Sequence, residues 1–285
     1  MIVSSYDASF LSVKPDPKPQ ARITLVRLHL LCDNGRMIIL LSNDDGIQSE
    51  GIIALEESLK PLADIYTVAP DRAQSSMSHA LTLHRPLRAH ELGPRRIAVD
   101  GTPVDCVKLA LTGLLPVRPE LVISGINKGP NLGDDIIYSG TVSAAIEGAL
   151  LGIPAIAVSL VTFKDFDFRA AAEFTATLVA RITQGGIAPK TLFNVNVPPG
   201  AKETIKGWRM TRMGKRHYSE NIVERFDPRG GKYYWIGGDD LGFADEDGTD
   251  CKTVHEGFIS VTPLQVDFTD YQLLKSNSLP NFPWP

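Results

Sequence analysis

The chain has 285 residues, 43% of them apolar and 22% charged, enough to bury the core of one large α/β domain or of a domain with an appendage. A net charge of −4 with no Lys/Arg-rich block argues against a surface for nucleic-acid polymers, and no apolar run reaches the roughly 20 residues needed to cross a bilayer. Cys32, Cys106 and Cys251 are widely spaced, with no C-x-x-C pair for zinc or redox work, so the expectation is a soluble, cytoplasmic protein acting on small molecules.

Residues 1–36 differ in character from the rest of the chain. Pro15, Pro17 and Pro19 alternate with Lys14, Asp16 and Lys18. The segment is expected to be an extension, with Met37 as the biological start, although Ile23 to Leu31 could instead add an edge strand. From Met37 an apolar run, Ile38-Ile-Leu-Leu41, reads as a strand covered on both faces, and it stops at Asn43-Asp44-Asp45-Gly46. Two carboxylates about 4 Å apart repel by roughly 4 kcal/mol at an effective dielectric near 20, and a divalent cation with oxygen ligands relieves that repulsion. The bland alternative is that the acids cap the helix that begins near Glu50 and ends at Pro61.

Asp64 to Ala69 is a second buried strand, and it runs into the hydroxyl-rich loop Pro70 to His79. Alternating residues from Leu81 to Leu92 and from Arg96 to Val99 predict a β-hairpin outside the parallel sheet. Thr102-Pro103-Val104-Asp105 opens a capped helix. Leu121 to Gly125 is a third strand, followed by Ile126-Asn127-Lys128-Gly129-Pro130-Asn131-Leu132-Gly133-Asp134-Asp135, a composition that brings backbone close to a charged ligand. Ser139-Gly140-Thr141 then starts a helix from Val142 to Leu151, whose bare N–H groups could receive an anion, although Ser139 could equally be a plain cap. Further on come a strand over 154–159, an Ala-rich helix over 166–184 and a strand over 192–197. After Gly200 the texture becomes aromatic and turn-rich, notably Lys232 to Ile236 and Phe258 to Thr262, and the tail Asn277 to Pro285 has no periodicity. The expected organisation is an extension over 1–36, an α/β core over 37–200 and a β-rich portion over 201–285.

In this order, the Asn43-Asp44-Asp45-Gly46 turn, the loop from Ala69 to Ser75, Ser124-Gly-Ile-Asn127-Lys-Gly-Pro-Asn131, Tyr138-Ser-Gly-Thr-Val142, Asn194-Val-Asn-Val-Pro198 and Glu256 to Pro263 resemble the SurE (survival protein E) family over about residues 37–275. The resemblance implies a Rossmann-like three-layer α/β core with a mainly parallel sheet. It also implies a C-terminal β-rich extension that exchanges between the subunits of a homodimer or homotetramer. The implied activity is a metal-dependent 5′-nucleotidase that hydrolyses nucleoside monophosphates, with 3′-nucleotides, other phosphomonoesters and short polyphosphate as further substrates. By the same similarity Asp44, Asp45, Ser75 and Asn127 would hold one divalent cation, magnesium or manganese. The residue types agree, since carboxylate, hydroxyl and amide oxygens are hard ligands.

The expected mechanism has the cation polarise a phosphoryl oxygen and supply or orient the attacking water. Asn43, Asn127 and the Ser139, Gly140 and Thr141 amides would contact the substrate, with Asn43, Asp44 and Asp45 as the catalytic set. The general base is left open among Asp45, a metal-bound hydroxide and an unplaced residue. His79 is either an acid/base group or a support for its loop. A nucleotide-sensing module that binds without turnover is the alternative from another class.

Overall fold

A computed structural model describes residues 35–218, 222–236 and 240–276. Residues 1–34 of the N-terminal extension, with the Ile23 to Leu31 strand alternative, and the tail after Ser276 therefore lie outside the described residues. The chain runs β1 (Met37–Ser42), α1 (Glu50–Leu59), β2 (Ala63–Pro70), β3 (Ala89–Gly93), β4 (Arg96–Val99), α2 (Pro103–Leu109), β5 (Leu121–Lys128), α3 (Gly140–Leu150), β6 (Ala155–Leu160), α4 (Arg169–Gly185) and β7 (Leu192–Val197). Then come β8 (Trp208–Met210), β9 (Arg216–Tyr218), β10 (Ile222–Phe226), β11 (Lys232–Ile236), β12 (Asp240–Phe243), α5 (Asp250–His255), β13 (Ile259–Leu264) and α6 (Tyr271–Ser276).

Nine strands form one sheet in the order β3-β4-β2-β1-β5-β6-β7-β13-β8, parallel except where β3 meets β4 and β7 meets β13. Alternation along β1 divides its apolar run between two layers. Ile39 and Leu41 pack with Ile52, Leu55 and Leu59 of α1 and Val179 of α4, whereas Leu40 packs with Cys106 and Val107 of α2 and Val142 and Ala145 of α3. Helices thus cover both faces, which is why the run from Met37 to Leu41 is apolar throughout. Close approach is built in at Gly51, where a Cβ would lie 2.1 Å from the Ile126 carbonyl oxygen, so α1 rests directly on the β5 backbone. From β1 the chain winds outward through β2 and β4, then returns to place β5 on the other side of β1. The reversal leaves a crevice at the carboxyl ends of β1 and β5, where ligands bind in open α/β sheets.

Two expectations need correction. The hairpin is not outside the parallel sheet: β4 pairs in parallel with β2, from Thr67↔Arg96 to Pro70↔Val99, and buries Ala98 and Val99. The unpaired edge of β2 supplies the reason, since an apolar strand edge must be covered. Its first strand is confined to Ala89–Gly93, because residues 81–88, interrupted by Pro86, make no ladder. Nor is Phe258 to Thr262 separate from the core sheet, as β13 pairs antiparallel with β7, from Ser260↔Asn196 to Leu264↔Leu192. Outside that sheet, among the described residues, stand only the β10–β11 hairpin and the β9–β12 pair. This arm has a closed neck, where Ala244 N–H donates to Lys215 O at 2.9 Å.

Candidate active site

Asp44 and Asp45 come directly after β1, and Gly46, at φ +96°, makes the turn that carries the chain into α1. Asn43 holds that turn. Its Nδ2 donates to Gly46 O at 3.0 Å and to Ser49 Oγ at 2.7 Å, so both amide hydrogens are committed within the loop. The acids do not cap α1, whose N-cap is Ser49. Asp44 is only 7% exposed and Asp45 is half-buried.

Three segments converge on this pair. The loop after β2 arrives through Gln74 N–H, which donates to Asp44 O at 2.7 Å and brings Ser75, an exposed residue, next to the crevice. At the end of β5, Lys128 N–H donates to Asp45 Oδ2 at 3.1 Å. Asn127 spends its amide nitrogen on Gly129 O at 3.0 Å, which leaves its oxygen as the uncommitted end among the described residues. The third segment is the start of α3, where Thr141 donates its hydroxyl to Asp44 Oδ1 and Gly140 lies so close that a Cβ would sit 2.8 Å from Asp44 Cβ. Ser139 Oγ accepts from Val142 N–H at 3.1 Å, so its side chain is the helix cap.

The electrostatics arise from this packing. Burial pushes the Asp44 carboxyl up to about 6 against the opposing pull of the Thr141 hydroxyl, and the charge of Asp45 adds to the rise. Burial also raises Asp45, opposed by the Lys128 N–H and ammonium. Neither aspartate forms an ion pair among the described residues, and Lys128 Nζ sits 3.3 Å from Glu50 instead. Two adjacent acids, an amide oxygen and a hydroxyl make a hard-oxygen set that fits a divalent cation.

Sequence reasoning missed how the rim is assembled. His79 Nε2 lies 3.0 Å from Oε2 of Glu147, a buried acid on α3 that also accepts from Lys108 Nζ of α2 at 2.9 Å. Ser78 fastens the same loop to the segment before α3, through N–H to Tyr138 O at 3.2 Å and Oγ to Ile137 O at 2.7 Å. Glu147 was the available signal, as the one charged residue of α3. On the other side, the buried Asp250 carboxylate accepts from Gly133 N–H at 2.9 Å, Gly214 N–H at 2.7 Å and Cys251 N–H at 2.8 Å, pinning the loop after Asn131 to the C-terminal chain.

The family model described as Survival protein SurE matches residues 39–220. A protein named 5′-nucleotidase SurE from Syntrophotalea carbinolica is 53% identical over 238 residues, covering 83% of this chain and 94% of its own. Another of that name from Citrifermentans bemidjiense is 50% identical over 248 residues, covering 86% of this chain and all of its own. The crystal structure of the SurE protein from Aquifex aeolicus superposes with a TM-score of 0.76 at 46% identity, covering 84% of this chain and 97% of that one.

Proposed function

The chain belongs to the survival protein SurE family, and from that premise we infer that its crevice hydrolyses nucleoside 5′-monophosphates to nucleoside and phosphate. The protein is thus a phosphoric monoester hydrolase. The observation that carries the reading is the Asp44–Asp45 pair, which forms no ion pair among the described residues, at the point where the sheet reverses its winding, with the N-terminus of α3 directed at Asp44.

Asp44, Asp45, Ser75 and Asn127 would hold one divalent cation, magnesium or manganese. When bound, such an ion supplies Lewis acidity and neutralises charge on the phosphoryl group. Residues of the chain do the rest. Thr141 fixes Asp44, Lys128 N–H fixes one oxygen of Asp45, and the helix end at Ser139, Gly140 and Thr141 offers the positive pole at which a phosphoryl oxygen is stabilised. Asn43, with both amide hydrogens committed, contributes by holding the turn rather than by donating to substrate.

We place the protein in the cytoplasm, a reading supported by the free, buried Cys106 and Cys251. No helix among the described residues is long and apolar enough to cross a membrane. We further propose a homodimer or homotetramer, supported by the large apolar side chains that the arm exposes, Ile222, Phe226, Trp235 and Ile236. The catalytic reading is tested by phosphate release from a panel of nucleoside monophosphates. Release should vanish with chelator and return with magnesium or manganese, and turnover unaffected by exhaustive chelation would refute the cation site.

A further inference from the structure

The carboxylate crevice accounts for the phosphate end of a nucleotide, and the residues so far described leave its base without a partner. Beyond β6, on the same carboxyl edge of the sheet, residues 161–168 carry three phenylalanines. Phe168 is buried, and Phe166 stacks on it with ring centres 6.1 Å apart while lying 5.0 Å from the Lys128 ammonium. Phe163 differs. Its side chain is 77% exposed, and it stands at the tip of a turn locked by Thr162, whose hydroxyl donates to Lys164 O at 2.6 Å and accepts from Lys164 N–H at 3.2 Å.

The Phe163 ring is seated against the site loop. A Cβ added to Gly129 would lie 3.2 Å from Phe163 Cε1, and Gly129 is the residue whose carbonyl fixes the Asn127 amide. Gly129 N–H in turn donates to Leu160 O at 3.0 Å, so the ends of β5 and β6 are tied together beneath the ring. Because β1, β5 and β6 are consecutive in the sheet, the end of β6, which leads into Phe163, stands about 10 Å from the end of β1, which leads into Asp44 and Asp45. That separation suits a nucleoside whose phosphate rests at the carboxylates. A rigid ring, two χ angles deep and already placed, loses little freedom when a base covers it.

Building on the nucleotidase reading, we propose that Phe163 is the platform on which the substrate base stacks, and therefore a determinant of specificity for nucleotides over other phosphomonoesters. Every base has a π-face, so the platform accepts all of them with little preference. The test compares adenosine monophosphate with ribose 5-phosphate, which keeps the phosphate and sugar and lacks the base, on the full-length protein. Phe163→Ala should raise KM for the nucleotide about 5- to 150-fold, the range for loss of one base–aromatic stack, and leave ribose 5-phosphate kinetics and the melting temperature unchanged. Phe163→Trp should restore the nucleotide KM. Equal losses on both substrates would make the ring a mere cover for Gly129 and overturn the proposal, as would an unchanged nucleotide KM. Calorimetric binding of the same two ligands, with magnesium present, reads the preference independently of turnover. A base-dependent affinity lost in Phe163→Ala supports the platform even if no phosphate is released, whereas equal affinities overturn it.

Discussion

Asp44 is held ionised at neutral pH against its own environment, since burial raises its carboxyl to about 6 from an ordinary 3.8. In the metal-free protein the folded state therefore binds more protons than the unfolded chain between those values, and stability falls as pH rises through that window. The full difference of about 2 pKa units is on the order of 3 kcal/mol above pH 6. Asp44→Asn removes the penalty. In chelator at pH 7 it should stabilise the fold by about 1–3 kcal/mol in urea denaturation while abolishing phosphate release. The gap between variant and wild type should close toward pH 4, and Glu147, whose carboxyl is lowered first by its His79 contact, cancels in that comparison. A variant less stable than wild type at pH 7 would contradict this account. The two aspartates were legible in the sequence because they end an unbroken apolar run. Their partners Thr141 and Lys128 were not, because a hydroxyl bond across 97 positions and an N–H bond across 83 depend on how β1, β5 and α3 are placed, which local pattern does not encode.

At the scale of elements, Glu147 ties three of them together: α3 on which it stands, α2 through Lys108, and the loop that carries Ser75 through His79. Its side chain is 4% exposed, while those of His79 and Lys108 are 32% and 44% exposed, so both partners can return to water when the acid is lost. Glu147→Ala should then cost about 1.5–3 kcal/mol, the range for hydrogen bonds to a charged group, and should raise the magnesium concentration needed for half-maximal phosphate release because the Ser75 loop is loosened. Chemical denaturation and metal titration check the two effects separately. An unchanged metal requirement would leave Glu147 as a purely structural tie. Most elements could be read from sequence because their signals are local. The α2 start at Thr102-Pro103 with Asp105 is an observed capping box, and β6 and β7 fall within one residue of their apolar runs. The hairpin after residue 88 was misplaced for the complementary reason. Its side chains on β3 are all exposed, so nothing in its own pattern reveals that β4 extends β2.

For the molecule as a whole, the placement of β8 and β13 changes how assembly must be tested. Cutting the chain after Gly200 would strip two strands from the main sheet and expose the β7 edge, and the product should aggregate. The arm is separable at its neck, where Lys215 and Ala244 already meet, so replacing residues 217–242 by a short glycine linker should leave the sheet intact. Light scattering should give at least twice 31.1 kDa for the full chain and the mass of one shortened chain after excision, with a folded circular-dichroism spectrum in both. An oligomer that survives the excision would remove the arm from the interface. The same strand order has a consequence during synthesis. Between Val197 of β7 and Ile259 of β13 the ribosome must add 61 residues, and at roughly 5–20 residues per second that takes about 3–12 seconds. Throughout that interval β7 presents an open edge to the cell, so the nascent chain passes through a sticky half-built state whose duration is set by codon usage across the arm, and slow translation there should raise its demand for chaperones.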